Sequence, residues 1–161
     1  MKVYIKNKLI SLGGSSQVLN ENQEPIFVVK GKVFSFTKKK KIYDTKENLL
    51  YTIRNRFWNW LATKVYIYDN EKNRIATIKK GKYSFNANFE IEDCVDDMRI
   101  DGKVFSLTST IIKNEKPVGV IVRDFTIIKD AFTLEAEEQD IPFLTALVIA
   151  FDNIKDKMQN D

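Results

Sequence analysis

The chain has 161 residues, 43% apolar and 30% charged, with a formal net charge of +4, which fits one domain able to bury a single substantial core. It contains one cysteine, Cys94, and no histidine. These counts exclude an internal disulfide, a multi-cysteine metal cluster and every nucleophile pair that relies on an imidazole base, and they fit a reducing compartment.

The charge is divided along the chain: residues 1–82 hold 18 Lys and Arg against 6 Asp and Glu, and residues 83–161 hold 8 against 16. Such a division serves internal charge complementarity, a dipolar molecule or a basic surface for phosphates. At the N-terminus, Lys6, Asn7 and Lys8 interrupt what would be the apolar stretch of a signal peptide. The segment therefore reads as mature structure, with a cytoplasmic address.

From Ile5 onward one pattern recurs: an apolar residue, a basic-rich triplet, then an apolar run containing Ser or Asn. It appears as IKNKLISL from Ile5, VKGKVFSF from Val29, IRNRFWNW from Ile53, IKKGKYSF from Ile78 and IDGKVFSL from Ile100, with a degenerate VRDFTII from Val122. The starts are 24, 24, 25, 22 and 22 residues apart, a period that signals a repeated supersecondary unit. Between copies lie polar turns, NENQEP from Asn20, DTKEN from Asp44, DNEKN from Asp69 and KNEKP from Lys113. Asn and Asp open such turns because their side chains bond the backbone just ahead. The flanking KVYIYD (64–69), RIATI (74–78) and VGVIV (118–122) are rich in β-branched and aromatic residues, as strands require. Each period thus predicts a β-hairpin, and six hairpin repeats give about twelve strands, enough to close a sheet and remove its edges.

Gly31-Lys32, Gly81-Lys82 and Gly102-Lys103 resemble the end of a phosphate loop, but no glycine stands five positions earlier and no Ser or Thr follows the lysine. A bulge or bend is expected at these glycines and at the equivalent Asn7 and Asn55.

Four departures from the repeat are candidates for function. Lys38, Lys39, Lys40 and Lys41 form a run in a hairpin connection beside Lys30, Lys32, Arg54 and Arg56; part of this cluster could share one end of the barrel and attract an anionic headgroup, the alternative for the lysine run being a solvated turn. Trp58 and Trp60 could add interfacial insertion where exposed, although the repeat places core residues at their positions. The segment 90–101 carries Glu90, Asp93, Asp96, Asp97 and Asp101. Its oxygens suit calcium but lack the spacing and closing Glu of an EF-hand loop, so no metal and no cofactor is expected. Last, DIPFLTALVIAFDNIKDKMQND from Asp140 predicts a helix over about 140–157, with Asp140 as N-cap and Pro142 in the first turn. It has no polar face between 143 and 151 yet is too short in apolar residues to span a bilayer. It reads as a core helix.

The segments YIKNKLISLGG, VVKGKVFSF, YDTKENLLYTI, YIYDNEKNRIATIKK and, most specifically, DAFTLEAEEQDIPFLTALVIAFDNI resemble the LURP-one-related family over essentially the whole chain. The resemblance implies a twelve-stranded β-barrel around a C-terminal hydrophobic helix, tubby-like and similar to phospholipid scramblases. It supplies no catalytic motif. Tubby domains bind phosphoinositide headgroups and scramblases act in lipid movement; this chain lacks the scramblase cysteine-rich and proline-rich segments, so anchoring by that route is not expected.

The resulting expectation is a mainly β protein, one domain over 1–161, a closed antiparallel barrel of about twelve strands around a buried C-terminal helix. It is expected to be a non-enzymatic binding or scaffold protein, cytoplasmic and peripheral at a membrane. Among partners an anionic lipid or membrane surface ranks first, a protein next and nucleic acid last. The alternatives are a structural or regulatory interaction protein, including nucleic-acid contact through the basic half, and behind it a carboxylate-based enzyme.

Overall fold

The computed structural model describes residues 1–6, 15–31, 37–56, 64–80, 89–101, 108–124 and 131–158. They form twelve strands, β1 (Lys2–Lys6), β2 (Ser15–Asn20), β3 (Pro25–Gly31), β4 (Lys40–Asp44), β5 (Leu49–Asn55), β6 (Lys64–Tyr68), β7 (Arg74–Lys80), β8 (Phe89–Glu92), β9 (Met98–Asp101), β10 (Thr108–Lys113), β11 (Lys116–Asp124) and β12 (Ala131–Ala136), followed by helix α1 (Ile141–Met158). Each strand pairs with its chain neighbours, and β1 returns to β12 to close the barrel. The closing seam is reinforced at its end, where the Met1 ammonium donates to the Ala136 carbonyl at 2.7 Å and the Ala136 N–H donates back at 3.0 Å. Among the described strands no sheet edge remains to template aggregation.

The repeat has a structural meaning. Ile5, Val29, Ile53 and Ile78 are fully buried, one on each of β1, β3, β5 and β7, all turned inward. Ile100 on β9 packs against the same core. The last copy departs: Val122 faces solvent, and Ile121, paired with Leu134, takes the inward place. In a strand one residue of offset reverses the face, so the degenerate copy is out of phase with the others by one position.

At the other end of the strands the turns follow one design. Asn20 Oδ1 accepts from the N–H groups of Asn22 and Glu24, and Asp44 Oδ1 from those of Lys46 and Asn48. Asp69 Oδ1 likewise accepts from the Asn73 N–H at 2.8 Å. Each turn then needs a left-handed residue, supplied by Gln23, Glu47 and Lys72 with φ of 64°, 64° and 71°. The fourth turn is tighter, with Asn114 and Glu115 both at positive φ, as a two-residue hairpin turn requires.

A bulge or bend was expected at the glycines and at Asn7 and Asn55, yet Gly31 pairs with Lys40 and Asn55 with Val65 in unbroken registers; residues 7, 81 and 102 lie outside the described residues. The observed register shifts fall beside the turns instead, at Val18/Leu19, Ile42/Tyr43, Ile67/Tyr68 and Ile111/Ile112. In each case the partner strand carries one extra residue, Ile26, Leu50, Ile75 or Val118, and all four pack against the core. A bulge bends the strand and re-aims one side chain. Here four apolar residues converge on the end where α1 enters.

Helix α1, about 27 Å long at 1.5 Å per residue, is buried at every position from Leu144 to Ile154. A helix with no exposed face must be enclosed, and its side chains form one core with the inward residues of the strands. Near its start Phe143 packs on Tyr51 with ring centroids 6.1 Å apart. Gly119 on β11 permits close approach there, since a Cβ at that position would stand 3.0 Å from Leu144 Cδ1.

Candidate functional site

Pairing across β4, β5 and β6 places Lys41 opposite Thr52 and Thr52 opposite Tyr68. With strands about 4.8 Å apart, these three side chains form a row roughly 10 Å wide on the outer wall. They line a groove of about 290 Å³ together with Lys39, Leu49, Arg54 and Lys72. No carboxylate belongs to that lining.

Arg54 is held in place by Tyr68. Its Nη2 donates to the Tyr68 hydroxyl at 2.8 Å and its Nε at 3.2 Å, while the guanidinium carbon lies 4.8 Å from the ring centroid. The tyrosine oxygen thus accepts from the cation, and a phenolic O–H is also a donor. Among the described residues no carboxylate pairs with Lys41, Arg54 or Lys72. Chemically, the groove is a set of N–H and O–H donors with excess positive charge, suited to a phosphate or another oxyanion.

The cations singled out from the sequence therefore divide. Lys39, Lys41 and Arg54 come together in the groove. Lys30 is beside it but engaged, 3.8 Å from Glu47 and 4.9 Å from the Tyr43 ring centroid. Arg56 is exposed beyond β5, its N–H donating to the Lys64 carbonyl. Lys38 contributes its carbonyl to an inward contact rather than its side chain to the groove. Lys40, expected among the cations that meet a headgroup, instead faces the barrel interior, 8% exposed, with its Nζ 3.7 Å from Asp152. Strand alternation is the reason, since successive side chains point to opposite faces. Lys32, Trp58 and Trp60 lie outside the described residues.

Lys72 and Tyr68 were not evident from the sequence. Lys72 sits at the left-handed position of a turn, where Gln23 and Glu47 stand in the equivalent turns; a cation there is a departure that comparison of the repeats could have shown. Tyr68 becomes a site residue only through the pairing of β5 with β6.

The acidic segment is occupied with neighbours. Lys79 meets Glu90 and Glu92, Arg74 meets Asp93 at 3.3 Å, and Lys113 meets Asp96 at 3.0 Å. Arg99 meets Asp101 and forks onto Glu115. Hydrogen bonds from Asn114 and Lys113 hold the Asp96 carboxyl below its usual range, and Arg99 does the same to Glu115. Burial, with Asp96 adding to it, pushes the Cys94 thiol up. Among the described residues no three His, Cys, Asp or Glu are grouped to hold a metal.

The model of the LURP-one-related family matches residues 1–152. The chain belongs to the LURP-one-related family. A solved structure of a protein from Arabidopsis thaliana resembles it with a TM-score of 0.66 over 96% of this chain and 90% of that one, at 16% identity. At that identity the likeness is one of fold. No curated protein matches the chain. For this LURP-one-related protein the basic groove is accordingly read from its own residues. Among the described residues no helix is long and apolar enough to cross a membrane.

Proposed function

We propose that this LURP-one-related protein is a non-enzymatic binding protein whose groove on β4–β6 receives the headgroup of an anionic phospholipid. The observation that carries the reading is the groove itself: Lys39, Lys41, Arg54 and Lys72 beside the Thr52 and Tyr68 hydroxyls, with no acidic lining residue. Near an anionic leaflet, Lys41, Arg54 and Lys72 at roughly 1 kcal/mol each contribute about 3 kcal/mol. Alone, that gives a dissociation constant weaker than about 1 mM, so the contact is transient and salt-sensitive. Hydrogen bonds from Arg54 and the hydroxyls to a phosphate add affinity and orientation.

Sedimentation with phosphatidylcholine vesicles, with and without a fifth of phosphatidylserine, tests the proposal at low and moderate salt. Wild type should pellet with the anionic vesicles at low salt and lose most of that binding at moderate salt. A Lys41→Ala/Arg54→Ala double variant should bind several-fold more weakly at low salt. Substituting the whole lysine run would be a poor test, because Lys40 belongs to the interior. Equal, weak pelleting of wild type and the double variant would overturn the reading; loss of binding to added inorganic phosphate at low millimolar concentration would point to free phosphate as the ligand instead.

A further inference from the structure

Two consecutive residues of α1 reach from inside the barrel to the segment that carries the groove lysines. The Asp152 carboxylate, its side chain 4% exposed, lies 3.7 Å from the Lys40 ammonium, whose side chain is 10% exposed. Next to it the fully buried Asn153 donates from Nδ2 to the Lys38 carbonyl at 3.3 Å. From the sheet side, the Asn55 N–H donates to the Thr37 carbonyl at 2.7 Å. Residues 37–40 are thus tied at both the backbone and a side chain, and Lys38 is kept at a φ of 43°, a left-handed conformation that a lysine holds only where its surroundings impose it.

Lys39 lies between the two points of attachment to the helix, and Lys41 follows the second. A buried ion pair is a weak source of stability, since apolar replacements of the same volume do as well or better. Its distinctive effect is on register. In a strand begun by Lys40 and Lys41, a slip of one residue would turn Lys40 outward and draw Lys41 into the core. Four identical lysines contain nothing that opposes the slip. Ile42, fully buried two residues on, opposes it, and the inward carboxylate of Asp152 adds to this by rewarding Lys40 for pointing in.

We propose that Asp152 and Asn153 are positioning residues for the groove: from within the barrel the helix pins Lys40 and the Lys38 carbonyl, and so holds Lys39 and Lys41 in the outward array that meets the anion. This rests on the groove being the anion site. It goes further in making the helix part of the binding apparatus.

The test uses the full chain and two readouts, amide hydrogen exchange resolved to residues 37–41 and binding to the phosphatidylserine-containing vesicles at low salt. Asn153→Ala removes the donor to Lys38. Asp152→Asn keeps the side chain's volume but removes the charge that draws Lys40 inward, and keeps the test decidable if the first variant loses its cooperative melt. Exchange at 37–41 should rise about tenfold or more in both, while β10–β12 keep wild-type protection, and binding should weaken about threefold to tenfold. A merely structural role would instead raise exchange throughout the barrel. Unchanged exchange at 37–41 overturns the pinning, and faster exchange with wild-type binding overturns its link to the groove. If wild type itself ignores anionic vesicles, the headgroup reading falls, and the exchange readout still decides whether the helix pins the segment.

Discussion

Two walls of the same barrel carry dense charge and treat it differently. On β7–β10 the cations are answered within the chain: Lys79 by Glu90 and Glu92, Arg99 by Asp101 and Glu115, Lys113 by Asp96. On β4–β6, Lys41 and Arg54 face a row of hydroxyls and an aromatic ring, with Lys72 at the groove's side. The acidic half of the chain thus neutralises mainly its own cations and those of β7, and leaves the outer wall of β4–β6 positive. Net charge alone cannot separate these cases, because it counts a lysine between two glutamates and a lysine in a groove alike.

The largest expected effect is one that destroys both walls together. A chain ending at Gln139 lacks α1, whose buried Ile141, Leu144, Leu147, Val148, Ile149, Phe151 and Ile154 contribute roughly 10 to 20 kcal/mol gross at about 1.5 to 3 kcal/mol each, an upper bound. That matches or exceeds a typical net stability of about 5 to 15 kcal/mol. The truncated chain should show no cooperative melt by circular dichroism; a sharp transition would show that the sheet stands without its helix.

The next effect separates a buried pair from an exposed one. Lys40→Met takes the lysine away from the buried Asp152 carboxylate and should cost about 3 to 5 kcal/mol in urea unfolding, most of it recovered in Lys40→Met/Asp152→Leu. Arg99→Met, on the open acidic wall, should shift the midpoint far less. Similar midpoints for the two single variants would mean that the interior pair is solvated.

The smallest effect is one of pH. Asp96 and Glu115 have folded pKa values below the ordinary carboxylate range. Their contribution is therefore complete above that range, about pH 4 to 4.5, and is lost as the pH falls through the folded values. The melting temperature should drop on acidification below about pH 4.5, less steeply in Glu115→Gln, while Lys41→Ala/Arg54→Ala should follow the wild-type slope. An identical slope in Glu115→Gln would remove the Arg99–Glu115 fork from the account of acid stability.

Much of the barrel was legible because its signals are local and repeated. The inward residues Ile5, Val29, Ile53 and Ile78 and the turn openers Asn20, Asp44 and Asp69 recur at nearly one period, and each does its work within its own hairpin. The bulge residues Ile26, Leu50, Ile75 and Val118 were present in the same rhythm but could not be recognised, since an apolar residue in a strand looks the same whether it is paired or extra. The basic cluster was legible as composition and illegible as geometry. Lys38 to Lys41 are one letter repeated and carry no phase of their own; the inward lysine follows only from the alternation that the buried Ile42 imposes on β4.

Alternation, turn chemistry and the unbroken apolar helix act over a few residues each, and for that reason the order of letters was enough to specify strands, turns, helix and the closed sheet they build. The groove and the interior pair depend on residues that meet only after closure. Thr52 and Tyr68 join Lys41 through the pairing of three strands, and Asn153 reaches Lys38 across 115 residues. Such contacts are set by where the chain's folded parts come to lie, and the barrel's closure around α1 selects, for each lysine of the run, the core or the solvent.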